Sequence, residues 1–330
     1  MDPQASTAAG PDAADTASER RTPRRVAIDR RANLALMALV ATAMLLQFLA
    51  WPFLLRQWGA VALWLVVPLV VLTPMHWGLI HEAIHGQLLP RRGANESVGR
   101  ALAIAFLLPF DAVRFGHLMH HRFTREPFDQ PDVHDGKTHR LLAFIGYYAH
   151  LLGGLYVVEL ILPLFAFLPA KWTCWLVARQ IGSEGPAGMD VQRLFVGFAG
   201  NQERRSRMRR DWILSVMLHA AAFYLYGTWW PALAVTMYLR GVWLSLADNL
   251  PHYDVSLDEP ERARNFRVPA IWQTVLMNHH LHRLHHRHPT HPWTALPALA
   301  SELPMTSTPV PDAGYFGAAL RQFRGFGKVR

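Results

Sequence analysis

Histidine recurs in this chain at spacings that suit metal ligation: His81 and His85 in HEAIH, His117, His120 and His121 in HLMHH, and His282, His285 and His286 in HRLHH. Positions i and i+4, or i, i+3 and i+4, share one face of a helix, so each motif can aim two or three imidazoles at one point. With 18 His in 330 residues, chance supplies about 0.05 copies of HxxHH and about one HxxxH. Two copies of HxxHH are therefore a strong signal, and HEAIH gains its weight from standing beside them. Eight imidazoles exceed what one ion takes, so the pattern implies two metals, and imidazole suits iron, zinc or copper. The single Cys, Cys174, excludes an intrachain disulfide and any site built from several thiolates, iron–sulfur clusters included.

The elements that must position these residues are apolar and long. The chain is 51% hydrophobic yet carries a formal charge of +9. Its basic residues fall between apolar runs, which points to lipid headgroups rather than nucleic acid as the polyanionic partner. Residues 1–32 read as a disordered basic tail, because their Ala, Asp, Ser, Thr and Pro cannot offset the entropy of ordering. Residues 33–55 and 59–80 are the length of bilayer-crossing helices and make a tight hairpin. A second hairpin is predicted over 212–228 and 231–248, with Gly227 ending one helix, Pro231 opening the next, and Trp229 and Trp230 at the interface. Arg240 interrupts the fourth span and must face protein or water. Residues 301–330 read as a C-terminal tail.

Arginines precede the first span, follow the second and precede the third, which predicts that all three flanking segments are cytoplasmic. The apolar stretch 141–170 then has to cross an even number of times. At 30 residues, with Gly153, Gly154, Glu159 and Pro163 inside, it is too short for two crossings, so helices lying on or dipping into the cytoplasmic face are expected, with a lone fifth span as the less favoured option. On this topology all three His motifs converge on one membrane face.

Blander readings apply to some of these residues. His76, His150 and His219 stand alone on apolar faces and are expected to be hydrogen-bonded core or interface residues. Seven His in 278–291 could form a nonspecific metal-collecting tract, but their regular spacing argues against it. Glu82 within HEAIH matches the zinc-protease motif HExxH, which leaves six other His without a role.

HEAIHG, HLMHHR and HRLHH, with a two-span hairpin between the second and third, resemble the three histidine boxes of the membrane fatty acid desaturase family, which includes carotenoid ketolases and hydroxylases. The flanking text agrees, since HHRFTREPFDQPD and HRHPTHPWTALP are similar to the family's sequences after its second and third boxes. The resemblance covers roughly residues 33–300. It implies two irons that activate O2, held by His81, His85, His117, His120, His121, His282, His285 and His286. It also implies a ninth His between the last span and the third box, a place that His252 fills. Relatives carry Asn four residues before that His; here Asp248 stands there with Asn249 beside it, so either is a possible metal ligand or a residue behind the ligands. His279 and His280 are spare imidazoles that can orient their neighbours.

These readings together predict an all-α, multi-pass membrane protein with four transmembrane helices in two hairpins and a cytoplasmic, histidine-rich di-iron cap. Abstracting hydrogen from an unactivated methylene needs an oxidant that no side chain supplies, so the metals carry it while the protein positions the chain and excludes water. The expected activity is O2-dependent desaturation of a lipid or acyl substrate. Hydroxylation or ketolation of a carotenoid or other lipid is the alternative within the family, and a membrane metal-binding or transport protein is the alternative outside it. No haem or iron–sulfur motif is present in the sequence, so electrons must come from an external donor of ferredoxin or cytochrome type. The Ala- and Arg-rich composition suggests a bacterial inner membrane.

Overall fold

A computed structural model describes residues 26–134, 136–185, 187–259, 261–302 and 314–327. The expected N-terminal tail therefore lies outside the described residues up to position 25, and so does the C-terminal tail apart from 301, 302 and 314–327. No strand occurs among the described residues.

The first apolar run is a helical hairpin. Helix α1 (Arg30–Leu45), capped by Asp29 accepting from the Ala32 amide at 2.9 Å, runs through one π turn at Leu46–Ala50 into α2 (Trp51–Trp58). Pro52 has no N–H to offer the preceding turn, and the helix widens where that bond is missing. The chain reverses at Gly59, whose φ of 56° and ψ of −136° favour glycine. A 3₁₀ turn, Gly59–Leu65, then leads through α3 (Val66–Val71) into α4 (Thr73–Ile84). The Asn33 amide closes the open end of the hairpin by donating to the carbonyls of Gln87 at 3.2 Å and Leu88 at 2.9 Å.

Helices α5 (Arg92–Phe106) and α6 (Phe110–Arg122) meet at 104° across Leu107, which takes the left-handed conformation, and Pro109. Helix α5 lies against α4 at Gly99, where a Cβ would overlap the Ala83 methyl. The corner is held by charge: Arg100, nearly buried, bonds Asp111 at the start of α6 and Asp211 from a later helix, and Arg207 reaches Asp111 at 3.0 Å. Asp111 in the first turn of α6 also complements that helix's dipole.

The run 140–166 is broken: α7 (Arg140–Ala149) passes into an irregular segment, His150–Gly154, before α8 (Leu155–Ile161) and a 3₁₀ turn, Leu162–Ala166. Helices α9 (Ala170–Gln180) and α10 (Gly188–Gly200) pack as a pair. Then come α11 (Gln202–Tyr226), which ends at Gly227 with φ 54°, and α12 (Trp230–Asn249), with Pro231 in its first turn. Short helices complete the chain: α13 (Ala270–Val275), α14 (His282–Arg287), α15 (Leu296–Glu302) and α16 (Tyr315–Arg321). Segment 314–327 packs on the body of the protein, its Gln322 fully buried against Asn249 and the Leu246 carbonyl.

Among the described residues, two helical runs are long and apolar enough to cross a membrane, Arg30–Ile84 and Arg140–Ala166, or three if the bent pair α5–α6 counts as one. The reversal at Gly59 makes the first run two antiparallel halves. Helices α11 and α12 stand where the second hairpin is expected, but they are not in that set. Arginines occupy the first third of α11, and Arg240 interrupts α12. Arg240 is turned inward, bonding Gln47 Oε1 at 3.0 Å and His76 Nδ1 at 2.8 Å and lying 4.4 Å over the Phe106 ring. The stretch expected to lie on the membrane face instead has the length and apolarity of a span, interrupted at Gly153.

Candidate metal centre

Four separate pieces of the chain deliver histidines to one place. His81 and His85 end α4, His117, His120 and His121 lie along the last two turns of α6, His252 follows α12, and His282, His285 and His286 lie on α14. Helix α14 is only six residues long, yet it suffices to put His282, His285 and His286 on one face.

The imidazoles sort into two groups. In the first, His81, His85, His117, His121 and His285 present ligand atoms within 4.8 Å of one another; in the second, His120, His252, His282 and His286 do the same. All nine expected ligands are thus brought together, and the two HxxHH motifs divide between the groups. His117 and His121, one turn apart, face one group, and His120 between them faces the other. On α14 the division is inverted, with His285 in the first group and His282 and His286 in the second.

The second group has a definite shape. Its four Nε2 atoms form a closed ring of contacts: His120 to His252 at 3.1 Å, His252 to His282 at 3.1 Å, His282 to His286 at 3.0 Å, and His286 to His120 at 3.2 Å. A square with such edges has its centre about 2.2 Å from each corner, close to a metal–imidazole bond. The four nitrogens thus surround a space that one ion could occupy. The first group shows the same spacing, with Nε2–Nε2 distances of 2.9 Å for His85–His117, 3.0 Å for His117–His121 and 3.0 Å for His121–His285. His81 Nε2 is buried beside them with no hydrogen-bond partner among the described residues.

Protein groups behind the ring fix which nitrogen carries the proton. His120 Nδ1 donates to Asp129 Oδ2 at 2.8 Å, and His252 Nδ1 donates to the Arg262 carbonyl at 2.8 Å. Their Nε2 lone pairs therefore point into the ring at one another, an arrangement that a cation at the centre relieves. Burial, with the neighbouring imidazoles adding to it, holds His282, His285 and His286 well below the usual imidazole pKa. Burial does the same for His252. These four stay in the neutral, electron-donating form that a metal requires.

Sequence reasoning missed the residues that aim the ligands. Asp129 also accepts from the Arg125 amide at 2.9 Å, tying the loop after α6 to His120. Arg125, 1% exposed, pairs with Asp132, which accepts from the Asp254 amide at 3.0 Å and so joins this loop to the one bearing His252. Both acids lie in HHRFTREPFDQPD, so the signal was the motif's acidic positions. Arg262 left no such signal: its φ of 47° turns its carbonyl toward His252, while its side chain bonds the Thr124 carbonyl at 2.8 Å.

The remaining candidates fall outside both groups. Asn249 points away, donating to Gln322 Oε1 at 2.7 Å. His279 packs between the groups, its ring 4.8 Å from that of His81 and 4.7 Å from that of His282, and burial pushes its pKa down to about 4. Burial brings His280 to about 4 as well, but it does not reach either group. Of the three His set aside as structural, His76 bonds the Leu102 carbonyl and His219 the Ser215 carbonyl, while the Nε2 of His150 is buried without a partner among the described residues. Glu82, buried, accepts weakly from the Trp293 amide at 3.3 Å.

Asp248 opens onto a cleft of about 150 Å³ that reaches both groups, touching His117 of the first and His120 of the second. Its walls are mostly apolar: Trp77, Leu108, Val113, Leu155 and Leu244. Three carboxyl groups, Asp129, Asp248 and Glu159, interrupt that lining, and Oε2 of Glu159 is buried without a partner among the described residues.

No curated protein matches the chain. A family model described as fatty acid desaturase matches residues 56–309, which contain all nine clustered histidines and the acids behind them. That match covers most of the chain: this protein belongs to the fatty acid desaturase family, a family of membrane-associated oxidoreductases.

Proposed function

We propose that the protein is a di-iron, O2-dependent membrane oxidoreductase whose most direct activity is introducing a double bond into an acyl or other lipid chain. The observation that carries this reading is the pair of histidine groups with one apolar cleft touching both. His81, His85, His117, His121 and His285 would hold one iron, and His120, His252, His282 and His286 the other. When bound, the iron pair supplies the oxidising power, drawn from O2 and two external electrons, that side chains lack.

The chain's own residues do the rest. Trp77, Leu108, Val113, Leu155 and Leu244 take an apolar segment out of water and lay it beside His117 and His120. Asp129 and the Arg262 carbonyl hold two ligand rings in the tautomer that faces inward. In the overall balance the substrate gives up two hydrogens, and O2 leaves as two waters using two electrons and two protons from outside. Hydroxylation is the second reading, and the observation favouring it is that the cleft holds two carboxyl groups, Asp248 and Glu159, besides the Asp129 that is bonded to His120. Asp248 and Glu159 suit a substrate or product that carries a hydrogen-bond donor near the reacting carbon.

The membrane arrangement we propose has four spans, the hairpin of α1 to α4 and the hairpin of α11 and α12, with the run Arg140–Ala166, broken at Gly153, dipping into the cytoplasmic face and the metal groups on that face of a bacterial inner membrane. The positive-inside pattern of Arg91, Arg92, Arg100 and Arg204 to Arg210 supports it. Electrons come from an external ferredoxin- or cytochrome-type donor. The test is expression with a donor system followed by mass spectrometry of the lipids: loss of two hydrogens marks desaturation, gain of one oxygen marks hydroxylation, and an unchanged lipid profile with an active donor contradicts both.

A further inference from the structure

Beyond the metal groups, a cavity of about 220 Å³ lies between the C-terminal segment and the chain that follows α12. Three arginines line it, Arg264, Arg321 and Arg324, with Tyr253 and a single acid, Asp254, and its floor is Leu250, Phe266, Ala318 and Phe326. Arg264 donates through Nη2 to the Asp254 carbonyl, which fixes its guanidinium, while its Nε is buried with no partner among the described residues. Arginines that line one concavity suit the oxygens of a phosphate, which guanidinium groups can grip through paired N–H groups.

The surface beside the cavity identifies the source of the phosphate. Helix α16 and the turn after it leave Phe316, Leu320 and Phe323 at 38%, 70% and 41% exposure, and Ile271 on α13 stands at 74%. Phe316 packs on Trp272, and Trp272 stacks on Trp243 of α12 at 6.0 Å between ring centroids. Farther along α12, Leu239, Tyr238 and Val235 are also exposed. One apolar strip thus runs down α12, passes over α13 and α16, and ends at the arginine cavity, whose first lining residue, Leu250, directly follows the helix. An apolar strip that ends in a cluster of arginines has the order of layers of a bilayer: acyl chains, then headgroup phosphates.

We propose that this cavity is a binding site for the phosphate of an anionic phospholipid, with the lipid's chains lying along the α16–α13–α12 strip. The site adjoins the metal region mechanically. Tyr253 next to His252 donates to the Gly325 carbonyl at 2.9 Å, and Asn249 bonds Gln322, so a lipid that ties Arg264 to Arg321 and Arg324 clamps the C-terminal segment over the His252 loop. The inference rests on reading α12 as a span.

The experiment uses the full-length, metal-loaded protein in detergent micelles and measures fluorescence anisotropy of tail-labelled phosphatidic acid and phosphatidylcholine. Phosphatidic acid is expected to bind at least tenfold more tightly. Arg321→Gln together with Arg324→Gln is expected to weaken it roughly thirtyfold, at about a factor of five per arginine, with metal content unchanged. Equal binding of the two lipids, or full binding by the double variant, overturns the proposal. Tight binding of inorganic pyrophosphate that phosphatidic acid cannot displace also overturns it, in favour of a soluble phosphate ligand. If an alkaline wash releases the wild-type protein from membranes, the span reading has failed; if the protein stays and only lipid selectivity is missing, the headgroup site has failed.

Discussion

The Asp129 carboxylate lies 2.8 Å from Nδ1 of His120, on the side of the ring opposite its contacts with His252 and His286. It fixes the imidazole's tautomer and keeps its Nε2 lone pair turned toward the other three nitrogens. Asp129→Asn preserves the shape and removes the charge. Carboxylates in this position are worth about 10- to 100-fold in metal affinity or activity, so the variant is expected to retain its fold and lose one of two irons under mild chelation. Unchanged iron retention in a chelator titration would show that Asp129 does not orient a ligand.

Gly99 lies against Ala83, which sits between His81 and His85. A methyl group at position 99 must push α4 and α5 apart, and overpacking of this kind costs about 1–3 kcal/mol. Gly99→Ala is expected to lower the thermal midpoint in detergent and to reduce metal bound by the five-histidine group more than by the other. Native-like stability and metal content would mean that this crossing does not set the position of the first motif.

Arg100 ties Asp111 and Asp211 together at the corner that aims α6. Removing one partner from a buried ion network costs about 3–5 kcal/mol. Arg207 and Arg210 still reach these acids, so Arg100→Ala is expected at the low end, about 3 kcal/mol. The check is unfolding in detergent, where an unaltered midpoint would refute the role.

An acidic electron donor docking on a basic face should be steered by charge, and screening shortens that reach to about 8 Å at physiological salt. Turnover with a ferredoxin is therefore expected to fall several-fold between low and high ionic strength when the donor limits the rate. A flat salt profile under those conditions would exclude electrostatic docking.

Much of the site was legible in the sequence because helical spacing is a local property. His117, His120 and His121 could be placed on one helix, and Gly227 and Pro231 could be read as a helix end and a helix start. How the motifs divide was not legible. That His120 joins His252, His282 and His286 while its neighbours on α6 join His81, His85 and His285 depends on the 104° corner at Leu107 and on the Arg100 network, both set by contacts distant in sequence. Asn249 looked like a ligand candidate by its distance from His252, but its side chain is committed to Gln322, 73 positions away. The run 140–166 stayed open for a different reason: its composition suits either a surface or a span, and its irregular turn at Gly153 packs against Tyr238 and Val242 of α12.

The central claim is that nine histidines form two metal sites of distinct membership, and metal analysis of purified, anaerobically reconstituted protein tests it most directly. The wild-type chain is expected to hold two irons, and His285→Ala and His120→Ala are each expected to lose one, from different groups, with the double variant retaining none. A single iron or tetrahedral zinc in the wild type, or two irons surviving both substitutions, would contradict the account.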